Sequence, residues 1–434
     1  MSVDKSNVIE TALSREEERR ALSGHARKKI LFVTNTNEYG GTERHLLELI
    51  RRLHGPGVQL SVLCFSIDFF SERLDPGQSV RVIACKQVPR SLRDWIKLFR
   101  AYQPDVVVFI YGWFWCVPAI ASVAAWLAGV PRRFSIQHLI TPREPLHEPL
   151  LTERKRRRSI SGAVRWLLGR EPWWVSLSMA DQPLSKLASL SSPVVLRVSA
   201  YLCNTTICVS NALRDSLVKD FGFPARKMRV IHNGVSLSEF VPSQSNGGGI
   251  RAKLGIRPDE FILVCTARLS EQKGIDILLQ AMARVLRDGV CCKCVIVGDG
   301  PLRNQLFEQA REIGLSAHVF FEGFREDVRP YLQASSAFVL TSHREGLPFS
   351  ILEAMACGLP CIVTDVGGNA EAITHQVDGL VVPPGSVDAV ADAISYLATH
   401  PHERARMSRM ARATACEAFD IDKNMAEIRS VILS

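Results

Sequence analysis

The sequence predicts an α/β protein with two doubly wound parallel sheets. Two series of buried strands indicate this, the first opening at Lys29–Val33 and the second at Phe261–Cys265. A glycine-bearing loop and a helix with inward leucines follow the first strand, as at the start of a doubly wound sheet. The polar run Ser243–Gly249 separates the two series and is typical of a flexible linker. A chain of 434 residues is also long enough for two or three domains.

These features divide the chain into four predicted parts. They are a flexible tail at 1–28, a first sheet domain at 29–240, a second at 241–420 and a terminal helix at 421–434. The strand–helix rhythm breaks at about 141–200, which we interpret as an insertion in the first domain. The insertion carries a basic, tryptophan-rich stretch, Arg154–Val175, whose cations and indoles suit an anionic membrane surface. An ordinary surface helix with buried tryptophans is the alternative.

Composition indicates a soluble enzyme that meets anionic partners. Hydrophobic residues make up 47% and charged residues 22%, as in globular enzymes, and the formal net charge is +9. A basic surface serves nucleic acid, lipid or phosphate. The sequence has no zinc-finger spacing, RNA-binding signature or basic zipper, so we predict a phosphorylated or lipid partner and no nucleic acid.

The cysteines and the amino-terminal residues indicate a cytoplasmic protein. Cys64, Cys265 and Cys361 lie inside apolar strand patterns, which favours reduced, buried thiols. Cys291 and Cys294 form a lone C-x-x-C, which strand packing explains better than a metal. Residues 1–29 lack the apolar core of a secretory signal.

The uncharged stretch Val106–Val130 is long enough to span a bilayer. Its pattern nevertheless favours a buried strand, Val106–Ile110, that leads into an alanine-rich helix, Ala119–Ala128. We therefore predict no membrane span, although peripheral attachment to the inner face of the membrane fits the basic stretch.

The segment Thr341–Gly358 is the strongest candidate for a binding site. A buried strand ends at Leu340 and a helix begins near Phe349, and a helix amino terminus after a parallel strand attracts anions. A diphosphate on this helix would leave Glu345 near an attached sugar and Glu353 near the ribose. The alternative is that both carboxylates are solvated.

Cations that could face such a diphosphate follow the strand that opens the second series. Arg268 comes directly after that strand, and Lys273 lies five residues further on. Arginine and lysine at the carboxyl end of one strand can bind two phosphates. The pair Asp420 and Asp422 has the spacing of a metal-binding D-x-D, but an acidic helix N-cap explains it more simply, so we predict no metal and no cofactor.

Six ordered motifs resemble the retaining GT-B-fold glycosyltransferases of family 4. The resemblance is dense over residues 228–400 and looser over 28–210. The motifs are Asn233-Gly234-Val235, Arg268-Leu269 with Lys273-Gly274, Val297–Pro301, Phe321–Phe324, Glu345 with Glu353, and Asp365–Gly368 with Glu371. Two small departures, Ala267 for glycine and Thr341 for proline, remove no functional group.

Membership of this family would assign a role to each motif. The fold would be two Rossmann-like domains that face each other across a cleft, with the terminal helix crossing back to the first. Arg268 and Lys273 would hold the diphosphate, together with the amides of Phe349 and Ser350. Glu353 would bind the ribose, and the turn at Gly323 and Phe324 would contact the base. Gly40 and Gly41 would close over the donor, while Glu345 and His138 would lie at the reaction centre.

The resemblance implies a cytoplasmic hexosyltransferase. It would transfer a sugar with retention from a nucleotide-diphosphate sugar to a lipid-linked or polysaccharide acceptor. Two alternatives remain at this point: a sugar-nucleotide epimerase with the same fold, and a catalytically silent subunit that binds the donor. A dinucleotide-dependent dehydrogenase is poorly supported, because the loop that ends at Gly40 and Gly41 lacks G-x-G-x-x-G spacing.

Overall fold

The computed structural model describes residues 8–10, 27–34, 40–55, 57–64, 73–74, 80–85, 89, 91–111, 116–138, 193–243, 248–257 and 259–434. The basic stretch Arg154–Val175 lies outside these residues. The chain divides into two compact units. The first is Met1–Val209, Leu213–Ile231 and Ala426–Ser434, and the second is Ser210–Ala212 and His232–Met425. The division after Ile231 precedes the predicted boundary at residue 240.

The first unit contains an eight-stranded sheet with helices. Its strands are β1 (Val8–Glu10), β2 (Lys28–Val33), β3 (Val58–Cys64), β4 (Val80–Cys85), β5 (Val106–Tyr111), β6 (Arg132–Gln137), β7 (Thr205–Cys208) and β8 (Met228–Val230). The helices are α1 (Gly41–Leu53), α2 (Leu92–Tyr102), α3 (Cys116–Leu127), α4 (Pro193–Leu202) and α5 (Asn211–Phe221). The strand order is β1-β4-β3-β2-β5-β6-β7-β8, and β1 alone pairs antiparallel.

The second unit contains a six-stranded parallel sheet. Its strands are β9 (Ile262–Thr266), β10 (Lys293–Val297), β11 (Val319–Gly323), β12 (Ala337–Leu340), β13 (Cys361–Thr364) and β14 (Gly379–Val382), in the order β11-β10-β9-β12-β13-β14. The helices are α6 (Gly248–Lys253), α7 (Ile275–Arg287), α8 (Arg303–Glu312), α9 (Arg329–Ala334), α10 (Phe349–Ala356), α11 (Asn369–Ala372), α12 (Val387–Thr399) and α13 (Pro401–Ala418). A last helix, α14 (Ile421–Leu433), starts in this unit.

Both sheets are buried on two faces. Continuous apolar strands are expected for parallel sheets covered by helices. In β2, Ile30–Val33 are each at most 1% exposed, and all five residues of β9 are buried. The stretch Val106–Val130 contains β5 and α3, as the apolar pattern predicts. Within the described ranges no helix has the length and apolar character required to cross a bilayer.

The last turns of α14 belong to the first unit. Lys28 Nζ donates a hydrogen bond to the carbonyl oxygen of Leu433 at 2.7 Å, and Arg132 donates to that of Val431 at 3.3 Å. The last carbonyls of a helix have no partner within the helix, so cations at this end satisfy them and complement the dipole. Two residues from the amino ends of β2 and β6 therefore hold the carboxyl end of the chain.

Several local predictions need correction. Residues 1–28 were expected to be a flexible tail, whereas Val8–Glu10 pairs with β4. The predicted linker ends too late, because Gly248 and Gly249 begin α6. The sequence analysis did not predict β4, which lies between β1 and β3, or β14, a four-residue strand at one edge of the second sheet.

The acidic N-cap interpretation is confirmed at the start of α14. Asp420 Oδ1 accepts a hydrogen bond from the amide of Asp422 at 2.9 Å. The strand thiols Cys64, Cys265, Cys294 and Cys361 are buried and form no disulfide. Burial raises the pKa of the Cys265 thiol to about 12, so this thiol stays protonated at neutral pH.

Candidate functional site

The candidate donor site lies at the topological switch point of the second sheet. Strand order reverses between β9 and β12, which are neighbours although β10 and β11 intervene in sequence. Ligands of doubly wound sheets bind outside the carboxyl ends of the strands at this point. Arg268 and Lys273 follow β9, and Glu345 follows β12. Topology thus brings together residues that are more than 70 positions apart in sequence.

A lysine, a serine and a glutamate form the centre of this site. Lys273 Nζ donates to Glu345 Oε1 at 2.6 Å, and Ser342 Oγ donates to the same oxygen at 2.6 Å. Glu345 is 4% exposed. A buried carboxylate needs such partners, because an isolated charge is costly to desolvate. The alternative of a solvated Glu345 is therefore wrong, and the sequence-predicted residues Lys273 and Glu345 are in direct contact.

The loop that carries Glu345 packs closely against the turn after β13. Thr364 Oγ1 donates to the carbonyl oxygen of Ser342, and the Gly368 amide donates to that of Gly346, both at 2.6 Å. A Cβ atom on Gly367, whose φ is +54°, would lie 1.9 Å from the carbonyl oxygen of Glu345. Glycine is required here because no side chain fits, so the two glycines of the D-V-G-G motif fix the backbone of Glu345.

The turn that carries Lys273 is fixed to the residues after β12. Lys273 ends a 3₁₀ turn, Glu271–Lys273, and Gly274 follows with φ +57°. Thr341 Oγ1 donates to the carbonyl oxygen of Gly274 at 2.8 Å, and Gln272 Nε2 donates to that of Arg344 at 2.8 Å. Thr341 therefore has a hydrogen-bonding role in this chain.

Helix α10 begins at Phe349, where the sequence predicts a helix amino terminus that could bind an anion. Its N-cap residue is Pro348, which makes no side-chain cap hydrogen bond. The first turn, with Phe349 and Ser350, can therefore offer amide groups and the positive end of the dipole to an anion. Glu353, one turn further on, is 3% exposed, so the alternative of a solvated Glu353 is also wrong.

Arg268 is exposed, but the backbone that carries it is hydrogen-bonded to the turn after β10. The amide of Leu269 donates to the carbonyl oxygen of Asp299 at 2.9 Å. A Cβ atom on Gly298 would lie 1.9 Å from the carbonyl oxygen of Ala267, and one on Gly300 would lie 2.4 Å from that of Leu269. The motif glycines thus let these two backbones approach closely and fix where Arg268 leaves the sheet.

Gly323 ends β11, Phe324 follows it, and the partly buried Glu322 precedes them. Gly323 has φ +71°, and Phe324 is 50% exposed. Glu322 Oε2 accepts hydrogen bonds from Lys253 Nζ at 2.6 Å and from the Tyr331 hydroxyl at 2.7 Å. Burial alone would raise the pKa of Glu322, but these donors lower it below its usual value. This anchored strand end presents an aromatic ring on which a base can stack.

His138 occupies the carboxyl end of β6 in the first unit. It is 8% exposed and packs edge-on against His45 of α1, with ring centroids 4.5 Å apart. Burial first, and the charge of His45 second, hold the pKa of His138 well below its ordinary value. Its Nε2 atom has no hydrogen-bond partner among the described residues. A neutral imidazole with a free nitrogen can exchange a hydrogen bond with a substrate hydroxyl.

Gly40 and Gly41 begin α1 in the same unit. Gly40 is the N-cap of α1, and a Cβ atom there would lie 3.0 Å from Glu43 Oε2. Residues 35–39 of the predicted glycine loop lie outside the described residues. Both glycines therefore follow β2. Strand order in the first sheet reverses between β2 and its neighbour β5, so β2 ends at the switch point of that sheet.

Sequence reasoning missed the roles of Ser342 and His45. The signal for Ser342 is a hydroxyl directly after a buried strand and three residues before Glu345. The signal for His45 is a polar residue on the inward face of α1, next to Leu46. The described residues contain no cluster of histidine, cysteine, aspartate or glutamate that could hold a metal ion.

Comparisons with known proteins identify the family of this chain. The family model for glycosyl transferases group 1 matches residues 249–414, and that for glycosyltransferase family 4 matches residues 39–239. The chain is 24% identical over 421 residues to the Escherichia coli UDP-Gal:alpha-D-GlcNAc-diphosphoundecaprenol alpha-1,3-galactosyltransferase, covering 95% of this chain and 98% of the relative. It is 27% identical to the N-acetyl-alpha-D-glucosaminyl L-malate synthase of Bacillus anthracis, covering 76% of this chain and 83% of the relative.

Comparison with solved structures identifies the fold. The Anabaena protein HepE, in complex with UDP and glucose, aligns with a TM-score of 0.70 at 22% identity, covering 94% of this chain and all of that one. At this identity the likeness establishes the GT-B fold and nothing more. The comparisons favour neither the epimerase nor the silent subunit. Both family models describe glycosyltransferases, and the relative that matches over almost its whole length is named as one. The chain therefore belongs to the group 1 and family 4 glycosyltransferases, and it is a hexosyltransferase with the GT-B fold.

Proposed function

We propose that this protein transfers a hexosyl group, with retention, from a UDP-sugar to a saccharide on a lipid diphosphate. The observation that carries the proposal is the arrangement of Lys273, Glu345 and Ser342 at the switch point. The relative that this chain covers almost completely is named for a UDP-Gal donor and a diphosphoundecaprenol acceptor. UDP is also bound to the Anabaena neighbour.

The leaving nucleotide requires stabilisation of growing negative charge. Arg268 and Lys273 supply cations, and the first turn of α10 supplies amide donors and its dipole. We propose that these groups suffice without a metal ion or another cofactor. The carboxylate of Glu353, which is buried one turn into α10, would accept hydrogen bonds from the ribose hydroxyls.

We assign two residues to the transferred sugar, Glu345 of the second unit and His138 of the first. Glu345 offers a carboxylate beside Lys273, and neutral His138 offers a free Nε2 atom to a sugar hydroxyl. The acceptor hydroxyl would attack from the face that the nucleotide leaves. Exclusion of water by the Gly40–Gly41 loop would favour transfer over hydrolysis.

Attachment to a membrane follows from the acceptor chemistry. An enzyme that acts on a lipid diphosphate must reach a bilayer surface. We propose a peripheral, cytoplasmic protein, with the basic stretch Arg154–Val175 as the contact.

A nucleotide panel tests the donor assignment. UDP, GDP and ADP are added to the wild type, Glu353→Ala and the control Glu312→Ala, which removes an exposed carboxylate from α8. A nucleotide at about 100 times its Kd adds about 2.7 kcal/mol, or about 5–10 °C in Tm for a domain of this size. We expect UDP to stabilise the wild type and Glu312→Ala, and to stabilise Glu353→Ala less. If none of the three nucleotides shifts the Tm of folded wild type, the proposal is wrong.

A further inference from the structure

Ser342 is a buried hydroxyl to which the proposed mechanism gives no role. It is 0% exposed, and its Oγ donates to Glu345 Oε1 at 2.6 Å. Both hydrogen bonds that Glu345 accepts end on Oε1, and within the described part of the chain no donor reaches Oε2. The carboxylate is thus anchored through one oxygen and can present the other to a substrate.

The two donors to Glu345 differ in stiffness. Lys273 reaches Oε1 through a flexible four-carbon side chain and is 18% exposed, whereas the Ser342 hydroxyl sits one carbon from its backbone. The Ser342 backbone is itself held by Thr364, which donates to its carbonyl oxygen at 2.6 Å. A lysine that turns toward a diphosphate leaves Ser342 as the fixed donor to Oε1.

The scaffold behind Ser342 is rigid for identifiable reasons. Asn369 Nδ2 donates to the carbonyl oxygen of Thr364 at 3.0 Å, and Asn369 is 0% exposed. The chain of hydrogen bonds therefore runs from α11 through Thr364 and Ser342 to Glu345. Such a supporting chain fixes the orientation of a reacting group more tightly than the group could achieve alone.

We propose that Ser342 is a positioning residue that holds Glu345 Oε1, so that Oε2 faces the donor sugar while Lys273 engages the diphosphate. This inference rests on the proposed function and assigns a specific residue to it. Ser342 acts through Glu345 and touches neither the nucleotide nor the reacting atoms. Its loss should therefore lower kcat and leave nucleotide binding intact.

The test compares Ser342→Ala with Ser336→Ala, which removes a hydroxyl that accepts a hydrogen bond from the Ile262 amide at the amino end of β9, away from the site. The probes are UDP, for the Tm shift, and UDP-glucose and UDP-galactose, for the rate of UDP release. We expect Ser342→Ala to lower kcat about 10- to 100-fold, since hydrogen bonds to charged groups are the stronger class. KM and the UDP-induced Tm shift should stay close to wild type, and Ser336→Ala should keep the wild-type kcat.

A double-mutant cycle with Glu345→Gln separates positioning from a general structural role. If Ser342 acts only through the carboxylate, Ser342→Ala should change kcat less than about twofold in the Glu345→Gln background. An undiminished effect in that background, a lost UDP shift in Ser342→Ala, or an unchanged kcat in Ser342→Ala would each overturn the inference. A wild type that neither binds UDP nor releases it from these donors would instead remove the proposed function, and this inference with it.

Discussion

Gly367→Ala tests whether the turn after β13 fixes Glu345. The new Cβ atom would lie 1.9 Å from the Glu345 carbonyl oxygen and 2.7 Å from its carbonyl carbon. A carbon and an oxygen need about 3.2 Å, so the loop must move by about 1 Å. The residue must also adopt φ +54°, in the left-handed region. We expect Gly367→Ala to lower the free energy of unfolding by about 1–2 kcal/mol through the left-handed backbone and by about 1–3 kcal/mol more through overpacking.

Gly385→Ala is the matched control, because Gly385 has φ +76° and no atom within 4 Å of the added Cβ. Gly385→Ala should therefore lose only the free energy that the left-handed backbone conformation costs. The difference between the two variants, about 1–3 kcal/mol, corresponds to about 2–12 °C in Tm for a domain of 150–250 residues. A 1 Å displacement of a reacting group can also cost about 100-fold in rate. The measurements are thermal unfolding by circular dichroism and UDP release from UDP-galactose.

The result that would refute this reasoning is equality between the two variants. If Gly367→Ala unfolds at the same temperature as Gly385→Ala and retains its rate of UDP release, then the close approach to Glu345 is not a constraint. A loss of stability without a loss of rate would mean that the glycine serves folding and does not fix the carboxylate.

Three further predictions concern charge and burial. Glu371 accepts hydrogen bonds from the amides of Asn211 (2.8 Å) and Ala212 (2.7 Å) and from His232 Nε2 (3.0 Å); burial would raise its pKa, but these donors lower it. The ionised Glu371 therefore stabilises the folded protein above its unfolded pKa of about 4.3, and this stabilisation is lost as the pH falls through its lower folded pKa. We expect Glu371→Gln to lower the free energy of unfolding by about 1.5–3 kcal/mol at pH 7. The variant should also show a smaller fall in Tm between pH 5 and 3.5. His138 stays neutral in the folded protein, whereas an unfolded histidine binds a proton below about pH 6.5. The free energy of unfolding should therefore fall as the pH drops below 6.5, and it should fall less in His138→Asn. Urea unfolding at pH 7 and pH 5 measures both. Ile428 on α14 is 0% exposed, and Ile428→Ala should lower the free energy of unfolding by about 2–5 kcal/mol. The control Glu427→Ala, at an exposed neighbour, should change it little. Thermal unfolding measures both variants.

Each of these predictions has a result that would contradict it. An acid profile for Glu371→Gln that matches wild type would mean that the Asn211 and Ala212 amides do not depend on the carboxylate charge. A pH dependence unchanged in His138→Asn would assign the acid sensitivity to other groups. Equal Tm values for the Ile428 and Glu427 variants would mean that the end of α14 contributes little to the first unit.

The sequence by itself determined the fold class and pointed to most of the candidate site residues. Parallel strands buried on both faces have continuous apolar runs, so β2, β9 and β12 are evident without a structure. Glycine, proline and charge mark the ends of elements, which is why Arg268, Lys273 and Glu345 could be placed after strands. The resemblance to a family added the roles, because identical ligand chemistry selects the same residue types in the same order.

The tertiary structure decided which of these residues meet and what holds them. Lys273 and Glu345 are 72 positions apart, and only the reversal of strand order at β9 and β12 brings them together. Local pattern contains no record of such long-range pairing, so neither the shared Oε1 contact of Lys273 and Ser342 nor the contact of His45 with His138 could be predicted. The burial of Glu345 and Glu353 has the same origin, since burial depends on neighbours that are distant in sequence and are placed only by the packed sheet.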